Sequence, residues 1–426
     1  MRLPCRTALI LGLAIGLVSV ACNDTFRPIA NPIPIPGGDP NSFDIVSVLT
    51  QNPSGAKDYI TYIDVSGDTN AGNRQVGPGA VYSSWDFAKG QVLTANSNDT
   101  VTASSYSSVS IPTATLLPGS DPVFIGTKKT GSAYVLNSGQ ISPDCPSSPS
   151  VGVLATATVS LVQNICLQDG SGAASDPVFL AQTPDTRKLV VLDRTLNQVF
   201  IVNLGSSIVE ARVNVGTAPV WAIITSDSKY AYILNRGSND ISIVDLTNNT
   251  VAGATVPTGG TTPVSMTADP RLNRLYVANR GSNTVSVFDL SNPTSPNSLH
   301  TPITVGPAPT RVAVLGDGSA AFVANTGANY ISRIDAASFI RNDIVVSSAP
   351  GAAVVDIDTP ISAPRVFAAV VDPTDTSNGT AIVRTTDNVL VTTIPAPQQD
   401  LSCVPAAGPP VVTCPLARPF QIQSRK

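Results

Sequence analysis

A leading proline returns at a near-constant interval through the middle of the chain. Pro177, Pro219, Pro263 and Pro309 are spaced 42, 44 and 46 residues apart. Each opens an apolar segment of strand length: Pro177-VFLAQTPD, Pro219-VWAIITSD, Pro263-VSMTADP and Pro309-TRVAVLGD. A second block follows each one: Lys188-LVVLDRTLNQVFIVNL, Tyr230-AYILNRGSNDISIVDL, Leu275-YVANRGSNTVSVFDL and Ala320-AFVANTGANYISRID. These blocks read as strand, turn rich in Asn and Gly, then an alternating strand ending in an acid or amide. A fourth strand such as Ile208-VEARVNV or Val251-AGATV leads to the next proline. One four-stranded antiparallel sheet cannot bury both of its faces. Radial packing of such sheets covers the faces and leaves only short edges. The repeat therefore predicts an all-β chain folded as a β-propeller of four-stranded blades.

Second strands begin near Gln91, Ala133, Lys188, Tyr230, Leu275, Ala320 and Arg365, at gaps of 42, 55, 42, 45, 45 and 45. Those anchors give seven blades. Upstream, Asp44-IVSVLT, Tyr59-ITYIDV and Arg74-QV supply second, third and fourth strands without a first. Val411 to Cys414 is expected to supply the missing strand from the C-terminus. The strand count favours eight blades over seven; with seven, the upstream strands form an extension. The long gap implies an insertion at about 140–170. The expected division is 1–21 signal peptide, 22–41 tether, 42–396 propeller and 397–426 C-terminal segment.

The strand Tyr276-Val277-Ala278-Asn279 and its continuation RGSNTVSVFD resemble the YVTN family of bacterial β-propellers. The resemblance is clear over about 175–350 and weaker over about 42–396. The Gly-His and Trp-Asp signature of WD40 repeats is absent. The resemblance implies a propeller fold and a surface or periplasmic interaction module. It does not imply one activity.

Met1 to Arg6 is short and basic, and Thr7 to Val20 is apolar but short for a membrane span. The leader ends Ser19-Val20-Ala21-Cys22. A small residue before Cys resembles a bacterial lipobox, so Cys22 is expected to carry lipid; plain secretion after Ala21 is the alternative. Pro28, Pro32, Pro34, Pro36 and Pro40 favour an extended tether. The remaining cysteines fall into two local pairs, Cys145 with Cys166 and Cys403 with Cys414. An even remainder in an exported chain reads as disulfides, with three connectivities open and local pairing preferred. The expected location is a bacterial membrane surface, periplasmic or external.

Composition narrows the chemistry. The chain of 426 residues is 13% charged, with one His, one Glu (Glu210) and a net charge of −4. A single His cannot build a His-rich metal site, and no HExxH, CxxCH or GxSxG occurs. A mildly acidic body does not suit nucleic acid. No obligatory cofactor is expected. His300 sits in a Pro-rich loop segment and reads as a solvated loop residue. The repeated Asn-x-Gly-x-Asn turns and the acids Asp245, Asp289 and Asp335 read as turn and strand-end residues.

Two sets of positions are candidates for ligand contact at the mouth of the propeller. Arg194, Arg236 and Arg280 occupy the same turn site in successive blades, and Arg311 follows the leading Pro309. Four guanidinium groups in one sector suit carboxylate, phosphate or sulfate. Solvated turn arginines are the simpler reading. Two residues after the leading position stand Phe124, Phe179 and Trp221, then Ser265 and Arg311. Aromatics there suit sugars or planar ligands, and core packing between blades explains them as simply.

The expected function is a non-enzymatic binding or interaction module, envelope-anchored by lipid. Its expected partner is an envelope protein, an acidic glycan or a small anion. A lactonase-like or sugar-acid hydrolase is the enzyme alternative, and a self-associating surface-layer component is a third.

Overall fold

The structure is a computed structural model. It describes residues 45–424 except 54–57, 128–130, 140–144, 147, 169–173, 270, 361–362 and 400–414. The leader, Cys22, the tether, Cys403 and the expected closing strand through Cys414 lie outside the described residues.

The described strands form eight antiparallel sheets. They are the blades of one propeller, numbered here along the chain. The innermost strands of blades 2 to 8 are Ala80–Asp86, Pro122–Thr127, Pro177–Gln182, Pro219–Ile224, Pro263–Asp269, Pro309–Val314 and Ala353–Asp358. In blades 5 and 6 the fourth strand is split into two short pieces that both pair with the third.

Blade 1 joins the two halves of the ring. Ile45–Gln51, Tyr59–Asp64 and Thr69–Gln75 are its outer three strands, and its innermost strand comes from the far end of the sequence. That strand is Arg418–Ser424, not Val411 to Cys414. Arg418–Ser424 can serve because its single proline, Pro419, sits at the strand start beside the bulge at Phe420, while further along the amides of Ile422 and Ser424 donate to Asp356 and Asp358 and the side chain of Ile422 is apolar. Ile422 is fully buried beside Val46, Val48 and Ile63. Val411 to Cys414 lies in a Pro-rich run, where missing N–H groups suit a ladder poorly.

The long interval in blade 3 is not one insertion over 140–170. Ser150–Ala155 and Ser160–Cys166 are the third and fourth strands of that blade. The extra length lies in the connections on either side of them. The Cys145–Cys166 disulfide spans a sequence separation of 21 and ties the first connection to the outer strand.

The core lies in the seams between blades. Second strands such as Leu189–Leu192 and Tyr232–Leu234 are apolar on both faces because a blade lies against each face. Side chains of this size contribute roughly 1.5–3 kcal/mol each when fully buried. The repeated Asn residues hold the turns. Asn235, Asn279 and Asn325 are buried and donate to the hydroxyls of Ser242, Ser286 and Ser332 on the third strand. Asn239 and Asn283 adopt φ near +57° and +54°, which Asn tolerates well. Their side-chain oxygens accept the amides of Thr262 and Ala308, just before the next blade's leading proline. The repeated motif therefore bolts each blade to the next one.

Candidate functional site

The inner strand of every blade carries one bulge near its start. In blade 4, Pro177 pairs with Asp193 but Phe179 pairs with Leu192, so Val178 is looped out. The same register shift occurs in blades 2, 3, 5, 6, 7 and 8 and in the closing strand of blade 1. A bulge re-aims side chains out of the regular alternation. Here eight bulges ring the channel at one level, near the face that holds the leading prolines.

The residue after each bulge divides the ring into two arcs. The aromatic arc is Tyr82, Phe124, Phe179 and Trp221. Tyr82 stacks on Phe124 at 4.1 Å between centroids, Phe124 on Phe179 at 4.8 Å, and Phe179 on Trp221 at 4.9 Å. The polar arc is Ser265, Arg311, Asp356 and Gln421. Ser265 is small and donates to the Thr310 carbonyl at 2.8 Å, leaving room above it. The Arg311 guanidinium reaches across that gap and lies 4.9 Å above the Trp221 ring.

Arg311 then pairs with Asp356, with Nε 3.7 Å from Oδ1, and hydrogen-bonds Tyr82. The other Asp356 oxygen accepts the amide of Ile422 on the closing strand at 2.8 Å. Gln421 is fixed by the amide and hydroxyl of Ser83 in blade 2. Burial pushes the Asp356 carboxyl up to about 6, although Arg311 and the amides of Ile422 and Ile357 pull it down; Asp358 adds to the rise. Burial also works against the Arg311 charge, but Asp356, Tyr82 and Asp358 more than offset it and hold the guanidinium above its usual range. Burial raises the Tyr82 phenol, which Arg311 opposes.

Above this floor the channel opens into a cavity of about 180 Å³. Its walls include Val81, Tyr82, Trp221, Val355 and Phe420, and Arg311 with Asp356 forms its polar base. Val81, Val355 and Phe420 are looped-out bulge residues of blades 2, 8 and 1.

The candidate residues separate under this geometry. Phe124 and Phe179 are 8% exposed and clasped by neighbouring rings, which places them in the seams between blades. Trp221 lines the cavity, with the Phe179 ring tilted against it and the Arg311 guanidinium over it. The four arginines lie on four successive blades, in two different settings. Arg194 is exposed and paired with Asp176 at 2.6 Å, Arg236 and Arg280 are exposed on their turns, and Arg311 alone lies in the channel. His300 is exposed and rests 5.1 Å from the Phe339 ring. Among the described residues, no group of three or more His, Cys, Asp or Glu comes together.

Tyr82, Asp356, Phe420 and Gln421 escaped the sequence reading. Blades 2 and 8 begin with Ala80 and Ala353, not proline, and the closing strand was placed elsewhere. Extending the position two after the strand start to every blade finds Tyr82. Asp356 needs the structure's register, because its bulge sits one residue later.

The family model for the YNCE-like beta-propeller matches residues 146–362, just over half of the chain. The chain belongs to the YNCE-like β-propeller family. Blades 1 and 2 and the parts of blades 3 and 8 beyond that span extend the same architecture to a closed ring of eight. No curated protein matches the chain. Among solved structures, it is similar to the dihydro-heme d1 dehydrogenase NirN in complex with DHE, at a TM-score of 0.68 and 14% identity, covering 93% of this chain and 78% of that one. It is similar to the periplasmic gluconolactonase PpgL of Pseudomonas aeruginosa, at a TM-score of 0.54 and 14% identity, covering 90% and 99%. A putative 6-phosphogluconolactonase from Bacteroides fragilis matches at a TM-score of 0.54 and 16% identity, covering 72% and 95%. At these identities the likeness is one of fold.

Proposed function

We propose that this YNCE-like propeller is a non-enzymatic binding module that receives a small ligand in the channel-mouth cavity and is held at a bacterial envelope membrane by lipid on Cys22. The cavity carries the reading. It is concave and mostly apolar, with a guanidinium at its base, the arrangement expected of a small-molecule seat. Its one carboxylate supports binding over hydrolysis. Asp356 is held by Arg311 on one oxygen and by the Ile422 amide on the other, so it has a structural task already.

A second reading is hydrolysis of a lactone. Three solved structures similar to this chain carry gluconolactonase names, two of them putative, and a cleft carboxyl with a raised pKa is a candidate acid or base. Incubation with glucono-lactones separates the two. Binding predicts ring opening at the uncatalysed rate, unchanged in Asp356→Asn. Ring opening above that rate, lost in Asp356→Asn, contradicts the non-enzymatic reading. The anchor is tested by growth with a labelled fatty acid: label is expected on the wild type and absent from Cys22→Ala. An unlabelled wild type contradicts the anchor.

A further inference from the structure

We infer that the channel-mouth cavity selects a small monocarboxylate with a compact apolar body, its carboxylate held by Arg311 and its body packed against Val81, Val355 and Phe420. This rests on the proposed binding reading and narrows it to one ligand class.

The argument starts from size. A cavity of about 180 Å³ is close to the engineered apolar cavity of about 150 Å³ that holds benzene, and below the volume of drug-sized sites. An oligosaccharide or a haem-sized group does not fit inside it. The walls then set the body of the ligand. Val81, Val355 and Phe420 offer apolar surface, Tyr82 and Trp221 contribute ring carbon, and the two further polar lining residues are already engaged, the Thr310 hydroxyl by the Val355 carbonyl and the Gln421 amide by Ser83. A sugar acid would lose water from its hydroxyls against these walls with little to replace it.

The base sets the head group. A guanidinium carries five N–H donors, and Asp356 and Tyr82 engage only part of the set. The Trp221 ring packs beneath it, with the guanidinium carbon 4.9 Å from the ring centroid. A planar carboxylate accepts two parallel hydrogen bonds from such a fork. The exposed Arg236 and Arg280 lie on turns at the same face of the propeller, where the turn amides bond back to the carbonyls before the leading prolines. They add positive potential outside the cavity, which favours an anion on approach.

Asp356 couples this binding to protons. The groups facing it are Arg311 from blade 7, Asp358 from its own strand and the Ile422 amide of the closing strand; Tyr82 of blade 2 joins through Arg311. A ligand carboxylate on Arg311 adds a second negative charge beside Asp356. The pair is relieved when Asp356 takes up one proton, so binding tightens as pH falls.

The test titrates the intact protein with benzoate, benzamide and glucuronate, followed by calorimetry or NMR at pH 5.5 and 7.5. Benzoate is expected to bind at least tenfold tighter than either of the others, and tighter at pH 5.5 than at 7.5. Val355→Trp, which fills the cavity, is expected to abolish binding, and Arg311→Gln to weaken benzoate at least tenfold. Should Arg311→Gln fail to fold, Val355→Trp and the benzamide comparison still decide. Equal binding of glucuronate or benzamide, lost in Val355→Trp, overturns the ligand class and leaves the mouth reading standing. Benzoate binding that survives Val355→Trp overturns both, as does no binding by any of the three.

Discussion

A chain ending at Ala417 is expected to lose cooperative unfolding, although it keeps every strand of blades 2 to 8. The closing strand does three jobs at once. It completes blade 1 by pairing with Ile45–Gln51. It ties blade 8 to the ring, because Asp356 accepts the Ile422 amide and Asp358 accepts the Ser424 amide and hydroxyl. It ties blade 2 to the ring through Gln421 and Gln423, both bonded to Ser83. Without it, Val46, Val48 and Ile63 lose their cover, and the buried carboxylates of Asp356 and Asp358 lose the donors that this strand supplies. The milder Ile422→Ala keeps the strand and is expected to cost about 2–5 kcal/mol, as full burial of a large aliphatic side chain implies. Urea unfolding reads both variants. A truncated chain that unfolds at the wild-type midpoint with the wild-type slope would show that the ring closes some other way.

Arg311→Leu is expected to destabilise the protein strongly at pH 7.5 and much less at pH 5. Removing one member of a buried ion pair leaves the other uncompensated, at a cost of roughly 3–5 kcal/mol. The sign of the pH effect follows from Asp356. Its carboxyl already sits at about 6 in the folded protein, above the unfolded value of 3.8. An acid with a raised folded pKa binds more protons folded than unfolded, so stability falls as pH climbs through that window. Loss of Arg311 removes the main attraction that holds the value down, so the window widens upward. At pH 5 the carboxyl is protonated and the penalty shrinks. Urea midpoints at the two pH values measure this. Equal destabilisation at both would mean that Asp356 is not charged in the folded protein.

The architecture was legible because the repeat is written in residues with strong local meaning. Leading prolines, Asn and Gly turns and acids at strand ends each mark a fixed place in the blade. Eight blades with a composite first one followed from counting strands. The closing strand was misplaced because RPFQIQS carries no turn signal and shares no motif with the other inner strands. The site was less legible for a physical reason. A bulge changes which face a side chain takes without changing the residue pattern, so Val81, Val355 and Phe420 look like ordinary strand residues. Among the arginines, the repeat position shared by Arg194, Arg236 and Arg280 is legible in the sequence, whereas the contacts of Arg311 with residues of other blades are visible only in the structure.

The channel mouth as the ligand seat is the central claim, and Trp221 reports on it directly. The chain has two tryptophans, and Trp85 is buried at 2% exposure in the seam of blades 1 and 2. In a Trp85→Phe background the emission comes from Trp221 alone, whose ring lies under the Arg311 guanidinium. Titration with benzoate is expected to shift or quench that emission along a saturable curve, and Arg311→Gln is expected to remove the response. Benzoate binding that leaves Trp221 emission unchanged would place the ligand elsewhere and contradict the account.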